Sequence, residues 1–500
     1  MMRRQGGCGV SAVVWRGGLS LLVALLSLSC ARQGADEPGV RARSVLLVVA
    51  DTLRADHLTT YGYSRPTSPH VDRLAATGVV FENAFVPCNF SGGSYASLFT
   101  GLLPHHHGVR DHPTYLADEL LTLGEVLEEA GYRTFGRYGH RLLIDRWNYR
   151  QGFEDWKYNA DGAVSGLETV SFLSEVGDAP FFAFLQLMEP HWPYTVHPGI
   201  SERFATPPPG FQARFERAAG DHQRLMFDFP DLGLTDEDAL FLKGMYDGEI
   251  AFVDGILGQI LETLDRTGRR RDTIVIFLAD HGEEFGEHGP MFNHDATLYD
   301  PVLHIPLVLS NPELFPGPTR ISRQVREIDL FATVLDLLGL DPRTTDGLSL
   351  LPLVKGNETG DERLVLAEGR PLDGSRQRLR EDLRARGDAD PLTYYRVTLP
   401  GLDGKWRCVR DGRHKLIHVP GDAVSWELYD LVADPGEKKN LYDAKGAAEV
   451  RLRLGALLSD YAAERGIVGG QEPLTEQDLE ALRQLGYLAD DPRDGKGKGR

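Results

Sequence analysis

One stretch decides the fold of this 500-residue chain: Thr273-Ile-Val-Ile-Phe-Leu-Ala-Asp280-His281-Gly282-Glu283-Glu284. A continuous apolar run rich in β-branched residues predicts a strand buried on both faces, as in a parallel α/β sheet. The run Ser44-Val-Leu-Leu-Val-Val-Ala-Asp51 has the same form. Ligands of open α/β sheets bind at the carboxyl ends of the strands, so parallel neighbours would bring Asp51 and Asp280 together there. Two carboxylates in one crevice repel unless a cation lies between them, which predicts a divalent metal site. The alternative is that each Asp only caps the helix after its strand.

Composition limits the function classes. The chain is 42% hydrophobic and 25% charged, as expected for a globular protein. Its formal net charge is −19 and it has no long basic block, which argues against a nucleic-acid partner. Four cysteines are too few for a disulfide scaffold or a cysteine-rich zinc domain.

The N-terminus has the pattern of an export signal. Arginines precede an apolar stretch over 19–29, which is too short to span a bilayer and ends at Cys30. Residues 1–30 resemble a bacterial lipoprotein signal with Cys30 as the lipidated residue; an ordinary secretory signal and an uncleaved anchor are the alternatives. All three predict a folded part outside the cytoplasm, in the periplasm or cell envelope. The lipoprotein signal predicts membrane contact only through a lipid anchor at Cys30. Cys88 and Cys408 would then either pair or remain separate buried thiols.

Strands alternate with helices up to about residue 340, which predicts an α/β fold with a large, doubly wound, mostly parallel sheet flanked by helices. Alternating strands that turn at Asp411-Gly412 predict a smaller C-terminal α+β domain with an antiparallel sheet. The predicted helices include 68–78 with Ser68 as N-cap, 94–100, 246–264 and 323–338. The predicted divisions are a signal peptide 1–30, a linker 31–43, the catalytic domain 44–355 with an insertion or lid over 195–240, the subdomain 356–465, and a tail 466–500 with a disordered end.

Polar residues at the predicted strand ends and loops supply candidates for catalysis. Ser91 precedes two glycines and a helix, whose N-terminus favours an anion; a hydroxyl beside a metal can act as a nucleophile there. His191 ends a buried strand and is the candidate general acid. His107, Arg137, His140 and His294 are candidates for stabilising a bound oxyanion. The alternatives are an N-capping turn at Ser91 and rim histidines without a catalytic role.

Several motifs in this order resemble the sulfatase family of the alkaline phosphatase superfamily. They are Val49-Ala-Asp51-Thr-Leu-Arg-Ala-Asp-His-Leu58, Tyr61-Gly-Tyr63, Ala96-Ser-Leu-Phe-Thr-Gly-Leu-Leu-Pro104 with His107-Gly108, Met188-Glu-Pro-His191, Ala279-Asp280-His281-Gly282-Glu283, and Glu427-Leu-Tyr-Asp-Leu-Val-Ala-Asp-Pro-Gly-Glu-Lys-Lys-Asn-Leu441. The resemblance implies hydrolysis of sulfate or phosphate esters. It also implies one divalent cation held by Asp51, Asp280, His281 and the Ser91 side chain. This hard ligand set favours Ca²⁺, with Mg²⁺ or Mn²⁺ as alternatives.

The chain departs from the family pattern at the nucleophile. Most sulfatases make formylglycine from Cys or Ser within a Cys/Ser-x-Pro/Ala-x-Arg signal, whereas this chain has Ser91-Gly-Gly-Ser-Tyr95. The missing Pro/Ala and Arg argue against formylglycine at Ser91. Thr52 stands where many sulfatases have another metal-binding Asp, and the Asp280-His281 pair resembles members that cleave phosphate or phosphonate esters.

The sequence therefore predicts a metal-dependent hydrolase of small-molecule or glycan sulfate esters with Ser91 as nucleophile. One alternative is a phosphomonoester or phosphodiester hydrolase or transferase on the same scaffold. Another is a catalytically retired sulfatase-like binding protein, which the degenerate signal around Ser91 favours and the intact Asp51, Asp280 and His281 oppose.

Overall fold

A computed structural model describes residues 43–111, 114–218, 233–289, 291–294, 297–357, 363–371, 405–419, 425–463 and 470–471. Its strands are β1 Ser44–Ala50, β2 Gly78–Phe85, β3 Thr114–Tyr115, β4 Arg133–Tyr138, β5 Asp155–Tyr158, β6 Phe181–Leu187, β7 Thr273–Ala279, β8 Glu284–Phe285, β9 Met291–Asn293, β10 His304–Ser310, β11 Thr319–Arg326, β12 Val365–Pro371, β13 Lys405–Arg410, β14 His414–Val419, β15 Ser425–Asp430 and β16 Gly470–Gln471. Its α-helices are α1 Pro69–Ala76, α2 Ser91–Thr100, α3 Pro104–His107, α4 Leu123–Glu129, α5 Gly162–Glu175, α6 Phe211–Ala218, α7 Asp236–Arg266, α8 Asp300–Leu303, α9 Asp329–Leu338, α10 Leu351–Val354 and α11 Ala448–Ala463.

The large sheet has eight strands in the order β11-β2-β10-β7-β1-β6-β4-β5. Only β10 runs antiparallel to its neighbours within it. Every residue of β1, β6 and β7 is buried, as continuous apolar runs require when helices cover both faces of a sheet. These features confirm the predicted mostly parallel α/β sheet.

The centre of this sheet positions the predicted metal ligands. Strand β1 lies between β6 and β7, and all three are parallel. Ala50 is in register with Leu187 on one side and with Ala279 on the other. Asp51 and Asp280, the next residues along their strands, therefore leave the sheet side by side.

Two predicted helices have different bounds in the structure. The segment 323–338 is a helix only from Asp329, because the preceding residues form the edge strand β11 beside β2. Part of β11 alternates half-buried and exposed residues, a period of two that the apolar spacing alone did not separate from a helix. The helix predicted at 246–264 belongs to the longer α7.

The predicted Ser68 cap of α1 is wrong. The Ser68 hydroxyl accepts a hydrogen bond from the backbone N–H of Thr59 at 3.1 Å and makes no capping bond. The buried Asp254 carboxylate of α7 accepts the N–H groups of His70 and Val71 instead, at 2.9–3.0 Å. A distant helix thus satisfies the first turn of α1, which local sequence could not reveal.

The second sheet has four antiparallel strands in the order β12-β13-β14-β15, confirming the predicted C-terminal α+β unit. The β13–β14 hairpin turns at the predicted position, with Gly412 at φ +88°. Cys88 and Cys408 are both buried free thiols. The signal peptide with Cys30, most of the 31–43 linker, part of the 195–240 insertion and most of the tail lie outside the described residues. The domain boundaries therefore remain predictions.

Within the described ranges, no helix combines the length and apolar character needed to span a bilayer.

Candidate active site and metal centre

Asp51, Asp280 and His281 form one buried cluster at the carboxyl end of the central strands. One ligand atom from each residue lies within 4.8 Å of the other two. All three side chains are fully buried. Two carboxylates and an imidazole at this spacing form a donor set that suits a divalent cation.

Each carboxylate of the cluster uses one oxygen in the protein fold. Asp280 Oδ1 accepts the backbone N–H groups of Thr52 at 3.1 Å and of His281 at 2.9 Å. Asp51 Oδ2 accepts the side-chain amide of Gln186 at 3.1 Å. Asp51 Oδ1 and Asp280 Oδ2 are buried and accept no hydrogen bond from the described residues. These two oxygens are available to a cation. When no cation is bound, their burial without a hydrogen bond lowers the stability of the fold.

The electrostatics also favour a cation. Burial, followed by the charges of Asp280 and Glu283, raises the pKa of Asp51 well above its ordinary value. A bound divalent cation would reverse this effect because it stabilises the ionised carboxylate.

Gln186 contacts the site through Asp51, and the sequence analysis missed it. Its Oε1 accepts the backbone N–H groups of Gly139 and His140, both at 2.8 Å, which orients its amide nitrogen toward Asp51. It stands as one polar residue in the apolar run of β6. A fully buried polar side chain near a strand end is the signal that could have identified it.

The turn at Thr52 is strained. Thr52 has φ +56°, a conformation that a β-branched residue rarely adopts. Its N–H bonds Asp280, and its carbonyl accepts a hydrogen bond from the Tyr246 hydroxyl at 2.8 Å. These two hydrogen bonds hold the strained turn after Asp51 in place, and such strained residues often occur at functional sites.

Ser91 lies beside the cluster. Its Oγ is 3.2 Å from Nε2 of His281, whose Nδ1 is 3.1 Å from the Gly282 carbonyl. A carbonyl only accepts, so Nδ1 carries a proton, and in the neutral ring Nε2 presents its lone pair to the Ser91 hydroxyl. The structure thus brings together all four predicted ligands.

The segment Ser91-Gly92-Gly93 is the first turn of α2, which was predicted to begin only at Ser94. A Cβ on Gly93 would lie 2.7 Å from the Phe90 ring and 2.9 Å from the Cys88 sulfur. Position 93 therefore requires glycine, because any larger side chain would clash with Phe90 and Cys88. The early start places Ser91 at the helix N-terminus, where backbone N–H groups lack intrahelical partners.

Four buried histidines converge here. The ring centroid of His294 lies 4.4 Å from that of His281 and 5.2 Å from that of His191, and His140 lies 6.4 Å from His191. Burial, followed by neighbouring imidazoles, lowers the pKa of His140 to about 3 and that of His191 well below its ordinary value. Nδ1 of His294 lies 3.3 Å from the Glu283 carboxylate, and Nδ1 of His191 contacts the Trp192 carbonyl. The structure places His191, His140 and His294 together as predicted.

His107 has both ring nitrogens engaged within the fold. Nδ1 accepts the Val109 N–H at 3.1 Å, so the neutral ring donates from Nε2 to Ser97 Oγ at 3.0 Å. Burial is the main cause that lowers the pKa of His107 to about 3. These contacts give His107 a role in supporting α2.

The prediction that Arg137 faces the site is wrong. Its guanidinium pairs with both carboxylate oxygens of Asp155 at 2.9 Å and with Glu168 of α5. It shares a face of β4 with Phe135, which stacks on Phe172 of α5. The side chain therefore points along the face covered by α5, away from the carboxyl end of the sheet.

Comparison with known proteins agrees with this architecture. The family model "Sulfatase" matches residues 43–340, and the model "N-sulphoglucosamine sulphohydrolase, C-terminal" matches residues 388–464. The chain is 25% identical to the Delta 4,5-hexuronate-2-O-sulfatase of Bacteroides thetaiotaomicron over 453 residues, covering 82% of this chain and 87% of that relative. It is 26% identical to the multifunctional alkaline phosphatase superfamily protein PehA of Trinickia caryophylli, covering 84% and 94%.

A solved structure extends the comparison to the fold. The phosphonate monoester hydrolase of Agrobacterium radiobacter superposes with a TM-score of 0.68 at 23% identity, covering 87% of this chain and 99% of that one. The first family model alone spans more than half of the chain. The chain therefore belongs to the sulfatase family of the alkaline phosphatase superfamily, a family of sulfuric ester hydrolases.

Proposed function

We propose that this protein hydrolyses sulfate esters with Ser91 as the nucleophile beside a divalent cation held by Asp51, Asp280 and His281. The observation that carries the proposal is the buried cluster itself. Two carboxylate oxygens that accept no hydrogen bond from the described residues, one imidazole and one hydroxyl meet at the carboxyl edge of the central parallel strands.

The cation is proposed to be Ca²⁺, with Mg²⁺ or Mn²⁺ as alternatives, because most of the donors are hard oxygens. When bound, it would stabilise negative charge on the ester and lower the pKa of the Ser91 hydroxyl. Tyr95, where the family signal has an arginine, is buried and supplies no positive charge. Burial, followed by the charges of Asp280 and Asp51, raises the pKa of its phenol and keeps it neutral.

Each residue has its own role in the proposed reaction. The Ser91 hydroxyl loses its proton to solvent, and the resulting alkoxide bonds to sulfur as the bond between sulfur and the leaving oxygen breaks. His191 Nε2 gives a proton to that oxygen, which departs as the alcohol. The sulfo group remains on Ser91 Oγ until a water molecule gives a proton to the now neutral Nε2 of His191 and bonds to sulfur through its oxygen. The bond between sulfur and Ser91 Oγ then breaks, which releases hydrogen sulfate and restores the Ser91 alkoxide. The N–H groups at the start of α2 favour the anion throughout.

His191 must carry a second proton to act as the acid. Its Nδ1 bonds the Trp192 carbonyl, and burial among imidazoles lowers the pKa of the ring in the substrate-free structure. An anionic ester bound beside the ring raises this pKa and favours protonation at Nε2. Proton uptake by His191 is thus coupled to substrate binding.

A second candidate function is hydrolysis of phosphate or phosphonate esters. The observation that favours it is the Ser91-Gly-Gly-Ser-Tyr95 segment, which lacks the formylglycine signal. The multifunctional superfamily relative and the phosphonate monoester hydrolase fold neighbour support the same reading. The assembled ligands and Ser91 oppose a retired binding protein.

The proposed substrate class is a sulfated glycan unit or a small sulfate ester. It is supported by the hexuronate sulfatase relative and the N-sulphoglucosamine sulphohydrolase C-terminal model. We propose export and lipid anchoring at Cys30 from the sequence pattern alone. Cys30→Ala should move the protein from the detergent phase to the aqueous phase on Triton X-114 partitioning; unchanged partitioning would contradict the anchor.

A nitrophenyl sulfate, phosphate and phenylphosphonate panel tests the reaction. Ser91→Ala should abolish turnover of the preferred ester while keeping Ca²⁺ binding by calorimetry, because three ligands remain. Ser174→Ala, an exposed serine of α5, serves as the matched control and should retain full activity. Equal, poor hydrolysis by wild type and Ser91→Ala would remove the nucleophile role. A preference for phosphate or phosphonate would select the second candidate.

Mass analysis of the Ser91 peptide tests the modification separately. An unchanged serine is expected, whereas a loss of about two mass units would show formylglycine.

A further inference from the structure

A buried hydrogen-bond chain runs behind the site. Glu327 lies between β11 and α9, is fully buried, and places Oε1 2.8 Å from Ser94 Oγ. Ser94 Oγ is also 2.7 Å from the backbone carbonyl oxygen of Asp280. Ser94 follows Ser91 by three residues on α2, so this chain joins the nucleophile helix to the end of β7.

The two short contacts of Ser94 determine where the protons are. A carbonyl oxygen only accepts, so the single proton of the Ser94 hydroxyl belongs to the bond with Asp280. The contact between Ser94 Oγ and Glu327 Oε1 then needs a proton from Glu327. An ionised Glu327 would leave one of these two buried contacts without a proton, and two oxygen atoms at that distance repel.

We propose that Glu327 is a neutral carboxylic acid that donates a hydrogen bond to Ser94 and thereby positions both α2 and the Asp280 turn. It is a positioning residue that acts through Ser94 and has no contact with the substrate in this scheme. Its role in holding the metal ligand rests on the proposed function, whereas its protonation state does not.

The surroundings of Glu327 support this assignment. Its Oε2 is buried and accepts no hydrogen bond from the described residues, which costs less for a neutral acid than for a carboxylate. Burial, followed by the charge of Asp280, raises the pKa of Glu327 well above its ordinary value. The Cys88 thiol nearby is also neutral, because burial raises its pKa well above the ordinary value.

Infrared difference spectroscopy tests the protonation state. Wild type minus Glu327→Gln at pH 8 should show the carbonyl stretching band of a protonated carboxylic acid, and Ser94→Ala should shift that band because it removes the hydrogen-bond partner. Glu154→Gln, an exposed acid paired with Arg133, is the matched control and should remove only ionised carboxylate bands. Loss of an ionised carboxylate band in Glu327→Gln would overturn the assignment. If that variant does not fold, an unshifted acid region in Ser94→Ala would overturn it as well.

Calorimetric titration with CaCl₂ alone tests the positioning role. Glu327→Gln keeps a donor toward Ser94 and should bind Ca²⁺ within about threefold of wild type, whereas Ser94→Ala should bind about tenfold more weakly, the usual size of such indirect effects on metal sites. Equal binding by wild type and Ser94→Ala would overturn this role. No binding by the wild type would refute the metal site while leaving the infrared result valid.

Discussion

Asp51→Asn is expected to stabilise the metal-free protein and to weaken its response to a cation. The ligand atoms of Asp51 and Asp280 lie within 4.8 Å of each other. At that separation and an effective dielectric constant of about 20, two unit charges repel by about 3.5 kcal/mol. Asparagine keeps an acceptor for the Gln186 amide and removes the charge. The variant should therefore gain roughly 2–3 kcal/mol of unfolding free energy in a chelator, since partial protonation already relieves some repulsion in wild type.

The pH dependence of this gain has a defined sign. The pKa of Asp51 is raised in the folded protein, so the metal-free native state holds this proton more tightly than the unfolded chain does. Wild type therefore loses stability as pH rises above the unfolded value of about 3.9, and the asparagine variant lacks this loss. The advantage of Asp51→Asn should grow from pH 5 to pH 8.

Adding cation should narrow the difference in stability between the two proteins. Wild type gains about 2.7 kcal/mol when free Ca²⁺ is a hundredfold above its Kd, whereas the variant, with one carboxylate fewer, gains less. Urea unfolding followed by circular dichroism, with EDTA and with Ca²⁺, measures both effects. Asp118→Asn, an exposed acid, is the control and should respond to Ca²⁺ as wild type does. A variant less stable than wild type in EDTA, or equal gains with Ca²⁺, would refute the reasoning.

Three further outcomes test other parts of the structure. Gln186→Leu leaves two buried backbone N–H groups without an acceptor, and should cost roughly 3 kcal/mol in urea unfolding and weaken Ca²⁺ binding about 10–100-fold by calorimetry; an unchanged Kd would contradict its role in orienting Asp51. Burial raises the pKa of Asp254 to about 7. Wild type therefore loses stability between about pH 4 and 7 as this group ionises, and Asp254→Asn should be more stable at pH 8 by roughly 2 kcal/mol but not at pH 4; equal stability at both pH values would argue against it. Arg137→Leu should lower the free energy of unfolding by roughly 1 kcal/mol and leave kcat/KM unchanged; a hundredfold loss of kcat/KM would show that Arg137 takes part in catalysis.

Local pattern was sufficient for the main architecture and for the metal ligands. Buried parallel strands are continuous apolar runs, and that signal is contained in a few adjacent residues. The runs ending at Asp51 and Asp280 therefore predicted two central strands and the meeting of their acids, which the register at Ala50 confirms. The motif order also located Ser91, because the family resemblance aligns it with the nucleophile.

The directions of side chains and their partners from distant segments could be found only in the tertiary structure. Arg137 belongs to a correctly predicted strand, yet its guanidinium meets Asp155 and α5, because the strand's twist and the covering helix decide which face a residue occupies. In the sequence Gln186 is one polar residue in a core strand, and only the folded structure shows that it bonds both the backbone at His140 and the Asp51 carboxylate.

The protonation state of Glu327 also depends on the tertiary structure and not on the local sequence. Its position in sequence carries no hint of neutrality, since an acid between a strand and a helix is ordinarily exposed and ionised. Packing that excludes water, together with a serine whose single proton already bonds the Asp280 carbonyl, sets its protonation state. Hydrophobic periodicity is encoded residue by residue along the chain, whereas ionisation and hydrogen-bond partnership depend on groups that come together only when distant segments pack.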